Sequence, residues 1–175
     1  MFYQGKISRK WHDVVDAYKQ SRSPDNQHKY RVKNLLDELL FICPEDSIAH
    51  FRSLVNSKDD KGEPTSFYLP RYCDTTERGY AVAICCEIKG KNYILKAESD
   101  SIKLSEETQP TRILEKTSKF IFYQKVFSPG HENCYKFESS SQQGLYLAWD
   151  IKEKKLILKR PEGLIDETTK FMLIP

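Results

Sequence analysis

No apolar run longer than YAVAICC (Tyr80–Cys86) occurs in the 175 residues, far short of the roughly 18 that a membrane-spanning helix requires. Insertion in a membrane is therefore not expected. The opening residues, MFYQGKISRKWHDVVDAYK, never settle into the apolar stretch of about 7–15 residues that marks a secretory signal, so Sec-type export is not expected either. Asn-x-Ser/Thr acceptors are missing. The C-x-x-C and H-x-x-x-H spacings of zinc frameworks are missing too, and His12, His28, His50 and His131 are too scattered to suggest another metal site. Phosphate-cradling glycine motifs, H-E-x-x-H and G-x-S-x-G do not occur, which removes the simplest nucleotide, zinc-protease and hydrolase readings. Ser139, Ser140 and Ser141 could be set beside His131 and Asp150 as a triad, but SSSQQG and PGHEN read as turn and loop chemistry. No catalytic residue, metal or cofactor is assigned, and the chain is not expected to be an enzyme.

Excess charge of one sign is also lacking. The 28 basic and 25 acidic residues leave a net charge of +3 and are mixed along the chain, so a nucleic-acid partner is not expected. Five cysteines are an odd number, and the adjacent Cys85 and Cys86 point to opposite faces of a strand. Reduced thiols in a monomer made in the cytosol are the expectation.

What the sequence does contain, from Tyr30 onward, is a succession of short runs rich in β-branched and aromatic residues. RVKNLL, ELLFIC, GYAVAICCEI, KNYILKAE, KFIFYQKVF, GLYLAWD, KKLILKR and TKFMLI are separated by KDDKGEP, EIKGKN, FSPGHEN, SSQQG and RPEG. Corresponding runs recur at nearly constant spacing. Phe67, Phe120 and Phe171 lie 53 and 51 residues apart, and Leu40, Tyr93 and Tyr146 lie 53 and 53 apart. Ile48, Ile102 and Leu156 repeat at 54 and 54. Three copies of about four strands are too few for a solenoid or a propeller, and one four-strand unit cannot cover its own apolar face. Closure of three units about one axis predicts an all-β fold, a β-trefoil of twelve strands in three pseudo-repeats. Phe67, Phe120 and Phe171 are expected in equivalent buried positions. Residues 1–29 carry the polar, proline-containing stretch SRSPDNQHKY and are read as an N-terminal extension, with 30–175 as the trefoil domain.

The stretch FYQKVFSPGHENCYKFESSSQQGLYLA (Phe122–Ala148), followed by KLILK (Lys155–Lys159), resembles the interleukin-1 cytokine family. RVKNLLDELLFI (Arg31–Ile42) and ERGYAV (Glu77–Val82) extend the resemblance upstream, so that it spans about Tyr30 to Pro175. The resemblance implies a cytokine made as a cytosolic precursor, trimmed by a caspase and secreted by an unconventional route. It also implies two immunoglobulin-domain receptor chains that signal through TIR domains, and a possible soluble decoy binding protein. By matching position, Lys33, Asp37, Arg78, Tyr80 and Lys125 are the implied receptor contacts. Charge reversal at Lys33 or Arg78 is expected to weaken binding while leaving stability nearly untouched. A caspase needs Asp before an accessible bond, and the extension offers Asp16 before Ala17 and Asp25 before Asn26. Rival readings are another member of the family, such as an interleukin-33-like alarmin, and a non-cytokine trefoil such as a lectin or protease inhibitor. The extension has too few basic residues for an obvious chromatin tether. Trp11 and Trp149 do not sit in Gln-x-Trp sugar motifs.

Overall fold

A computed structural model describes residues 18–20, 28–53, 64–74, 78–110, 112–113, 117–130 and 133–175. The first strand, β1 (Tyr18–Gln20), precedes the first repeat, which comprises β2 (Lys29–Lys33), β3 (Leu39–Cys43), β4 (Ile48–Arg52), β5 (Phe67–Tyr68) and β6 (Arg71–Asp74). The second comprises β7 (Tyr80–Val82), β8 (Cys85–Ile88), β9 (Lys91–Glu98), β10 (Ser101–Ser105) and β12 (Phe122–Val126), the short β11 (Arg112–Ile113) falling before β12 in the chain but outside the repeat. The third comprises β13 (Cys134–Ser139), β14 (Tyr146–Trp149), β15 (Leu156–Lys159) and β16 (Phe171–Ile174).

The sixteen strands among the described residues reduce to the expected twelve for physical reasons. Pro70 cannot donate to a ladder, so β5 and β6 are one run broken at Leu69–Pro70, and the Pro70 carbonyl instead accepts the Ala83 N–H at 3.1 Å. The facing run breaks opposite it, between β7 and β8. Strands β1 and β11 lie outside the repeats; both pairings of β1 are antiparallel, with Lys19 opposite Cys73 of β6 and Arg112 of β11.

Within each repeat the first strand pairs with the last: Tyr30 opposite Phe67, Val82 opposite Phe122, and Tyr135 opposite Phe171. Adjacent repeats join through β5–β8 and β6–β7, through β12–β13, and through β16–β2. These ladders close into a ring, leaving no free edge within it. The middle strands of each repeat form the hairpins β3–β4, β9–β10 and β14–β15 that cap one end. The architecture is a β-trefoil.

The repeat holds, with a shift of register. Phe67, Phe122 and Phe171 are at most 1% exposed and share one core cluster. Phe120 is only half-buried, against a second cluster around Ile121 and Tyr123. It lies in a turn before β12, where the Ser118 hydroxyl takes its N–H at 3.2 Å and the Ile121 N–H bonds the Ser118 carbonyl. The equivalent hairpin pairs are Leu40 with Phe51, Leu95 with Leu104, and Leu147 with Leu158. Tyr93 lies two residues from Leu95 and keeps its face, whereas Tyr146 lies one residue from Leu147 and faces the opposite way.

The last loop is fixed by Asp166, whose carboxylate accepts the Thr168 and Glu162 N–H groups, each at 3.1 Å, and pairs with Lys159 at 3.0 Å. Burial raises its pKa, but these bonds outweigh burial and hold it at about 2.

Candidate functional site

The sheet brings Arg78 and Lys125 together around a residue that the sequence does not single out, with Tyr80 on the opposite face of the ladder. Glu138, on β13, is buried, and its Oε1 lies 2.8 Å from Lys125 Nζ and 3.0 Å from an Arg78 guanidinium nitrogen. Its Oε2 accepts the Gly144 N–H at 2.8 Å. Lys125 also donates to the Tyr146 hydroxyl at 3.1 Å, and Arg78 lies 4.4 Å over the Tyr123 ring. Burial works against charge on both Glu138 and Lys125. The hydrogen bonds win: Glu138 is held below the usual glutamate pKa by Lys125, Gly144 and Arg78, and Lys125 is held above the usual lysine pKa by Glu138 and Tyr146. The two cations are therefore fixed in direction while each keeps about a quarter of its side chain in solvent, 25% for Arg78 and 28% for Lys125.

Gly79 sets the angle between Arg78 and Tyr80. Its φ is +138°, and a Cβ there would stand 3.0 Å from the Gln124 carbonyl oxygen, so only glycine fits without movement. Tyr80 then projects from β7 opposite Gln124, is 61% exposed, and is covered on one ring face by the Arg71 guanidinium at 4.5 Å. A cavity of about 280 Å³ opens beside it, lined by Arg71, Gln124, Asn133, Tyr135 and the end of β16.

Lys33 and Asp37 form a second group. Asn34 bends the chain between β2 and β3, its side-chain oxygen accepting the Leu36 and Glu38 N–H groups at 3.0 Å each. Asp37 sits at φ 60°, a conformation an aspartate tolerates, and pairs with Lys33 at 3.0 Å while the exposed Leu35 and Leu36 stand between them. From β7 to β2 the shorter way round the ring passes through the β5–β6 run, two inter-strand steps of about 4.8 Å, or roughly 10 Å. The five positions thus form two groups, one on β7 and β12 and the loop before them, the other at the end of β2.

Arg78 requires one correction. Because its guanidinium neutralises the buried Glu138, reversing its charge would set two carboxylates together, so that variant would disturb stability as well as binding. Asp16, Asp25 and His131 lie outside the described residues. The serines of SSSQQG are structural: the Ser139 hydroxyl accepts the Gln142 N–H at 3.2 Å, and the Ser140 hydroxyl accepts the Ser118 N–H at 3.1 Å. Trp149 is core, and Tyr146 serves Lys125. Among the described residues no three His, Cys, Asp or Glu side chains gather as a metal site.

The family model "Interleukin-1 / 18" matches residues 60–173. Human interleukin-18 is 35% identical over 144 residues, covering 80% of this chain and 72% of that protein. Chicken (Gallus gallus) interleukin-18 is 28% identical over 158 residues, covering 85% and 80%. Among solved structures, the chicken cytokine interleukin 1 beta superposes with a TM-score of 0.68 at 16% identity over 91% of this chain and 100% of that one, a likeness of fold alone. These relatives are signalling proteins without catalytic activity, and the chain is a cytokine, not an enzyme. By its trefoil, by the family model and by its likeness to interleukin-18 over four-fifths of its length, the chain belongs to the interleukin-1 family of cytokines.

Proposed function

We propose that the protein is an interleukin-18-like pro-inflammatory cytokine that bridges two immunoglobulin-domain receptor chains, of the interleukin-18 receptor alpha and beta types, and so triggers TIR-domain signalling. The observation that carries this reading is the pair of cations Arg78 and Lys125, held by one buried carboxylate. Two cations held in direction by one carboxylate suit an acidic face on a partner, and little side-chain entropy is lost on binding. The turn carrying Lys33 and Asp37 is a second contact, apart from the first. A soluble decoy with the same chemistry would compete for these positions.

Residues 30–175 are the active module and 1–29 a pro-segment, removed by a caspase from a cytoplasmic precursor that leaves the cell unconventionally. The two candidate cuts differ in consequence. Cleavage after Asp16 leaves β1 attached, whereas cleavage after Asp25 separates it from the module. Strand β1 lies along β6, whose Arg71 stacks on Tyr80, so the edge its loss would uncover belongs to the Arg71 and Tyr80 group, not to Lys33 and Asp37. The test is surface plasmon resonance of the intact and caspase-treated chain against each receptor ectodomain, singly and together. Binding that strengthens after a cut at Asp16 or Asp25 and weakens in Tyr80→Ala supports the proposal. Equal binding by all three forms refutes it.

A further inference from the structure

Outside these two groups, the outer face of the β3–β4 hairpin carries a thiol and an imidazole within reach of each other. Cys43 Sγ lies 4.0 Å from His50 Nδ1, a distance at which a thiol hydrogen-bonds a ring nitrogen. Both side chains are half-buried. The imidazole is held by the Phe41 ring, stacked at 6.1 Å between centroids and 20° between planes, and the Arg52 guanidinium lies 4.0 Å from the same ring. Arg52 Nε is buried without a hydrogen-bond partner among the described residues. Cys43 and Arg52 line one groove of about 1080 Å³, walled by this hairpin and by the β8–β9 turn. Its charged lining is mixed, with Lys29, Lys89 and Lys91 facing Glu45, Asp46 and Glu87.

We infer that Cys43 is a site of S-thiolation, with His50 as its base and the groove, through Arg52, as the seat of a zwitterionic low-molecular-weight disulfide of the glutathione kind. Oxidised glutathione carries both carboxylates and ammonium groups, which a lining of both signs, Arg52 included, can receive. In the step, the Cys43 thiol proton passes to His50 Nδ1. The thiolate sulfur attacks one sulfur of the disulfide, a new S–S bond forms to Cys43, and the other half leaves as a thiolate that recovers the proton from His50. The protein thiol is oxidised, the small disulfide is reduced, and one reduced thiol is released. Burial, with the Arg52 charge adding to it, holds the His50 pKa below its ordinary value, so the ring is the neutral form that can accept a proton.

The other cysteines supply the controls. Cys73 is exposed, so accessibility alone would make it the faster thiol. Cys85 and Cys86 are buried, with pKa values pushed up by burial, that of Cys86 to about 12, and should stay unmodified in the folded protein. The experiment is to incubate the full chain with oxidised glutathione and follow each cysteine by peptide mass spectrometry, with the neutral 2-hydroxyethyl disulfide in parallel. Cys43 should react roughly tenfold faster than Cys73 with glutathione, and His50→Gln should remove most of that advantage with either reagent. Arg52→Gln should slow the glutathione reaction only. Cys73 reacting as fast as Cys43 in the unmodified sequence, which needs no variant to fold, would overturn the assignment. So would a Cys43 rate indifferent to His50→Gln, and an equal effect of Arg52→Gln on both reagents would remove the groove from it.

Discussion

Replacing Glu138 by alanine removes the acceptor shared by Lys125, Arg78 and the Gly144 N–H, at 2.8, 3.0 and 2.8 Å. Charge-assisted hydrogen bonds contribute about 1.5–3 kcal/mol each, so three of them set an upper limit well above the net effect. The net is smaller because burying the carboxylate is itself costly, and because Arg78 and Lys125, each about a quarter exposed, can turn back to water once released. A loss of about 2–4 kcal/mol is expected, with a fall in Tm of roughly 5–15 °C for a chain of this size. Urea unfolding followed by fluorescence of the buried Trp149 measures it. Glutamine at 138 keeps an acceptor for Gly144 but loses the charge, and should cost about half as much. The pH profile gives an independent check. Glu138 titrates below its ordinary 4.5, so its contribution is complete above that value and lost as pH falls through the lowered one. Lys125 titrates above its ordinary 10.5, so its share is complete below that value and lost as pH rises through the raised one. Both variants should therefore differ most from the parent on the neutral plateau, and the gap should shrink toward strong acid. A loss under about 1 kcal/mol for the alanine variant, or a gap that stays constant down to low pH, would show that the cluster does not hold these strands together.

Phe122→Ala should cost about 3–5 kcal/mol and Phe120→Ala only about 1–2, because the first ring is fully buried and the second half-buried; the reverse order in urea unfolding would refute the register given above. Lys33→Glu should change stability by under about 0.5 kcal/mol, since the charge it loses faces the exposed Asp37, yet weaken receptor binding roughly tenfold in surface plasmon resonance. Asp166→Asn should cost about 1–2 kcal/mol at neutral pH through the lost cap, a deficit that closes as pH falls from the ordinary 3.8 toward about 2, where the native carboxyl is protonated as well; thermal melts across that range check it. Treatment with caspases followed by sequencing of the new N-terminus should give a chain beginning at Ala17 or Asn26, and neither product appearing would refute the pro-segment.

The fold was legible because each repeat writes the same order of apolar runs, and that order survives errors of one or two residues in aligning the copies. Register was less legible. KFIFY offers two phenylalanines two residues apart, which share a face in any strand, and only the turn closed by Ser118 and Ser140 decides that Phe122 enters the ring. For the site, likeness in sequence pointed to Arg78 and Lys125 but not to their common partner. Glu138 takes partners from β12, the loop before β7 and the turn after β13, the farthest of them, Arg78, lying 60 residues away along the chain, and no local pattern encodes such a closure. One sign was present: a glutamate between Phe137 and Ser139, in a strand otherwise turned inward at that end, needs a partner if it is buried.

The pairing of β16 with β2 has a topological consequence. Because Ile174 lies opposite Arg31 in an antiparallel ladder, the last strand finishes where β2 begins. A short linker from Pro175 back to Lys29 would join them without crossing the barrel, and new termini could be opened in the β14–β15 connection, whose residues 151–153 are exposed. Such a circular permutant should fold to the same trefoil. It would also free the β2 end from any preceding segment, and so separate the trefoil's own behaviour from that of residues 1–29 within a single polypeptide.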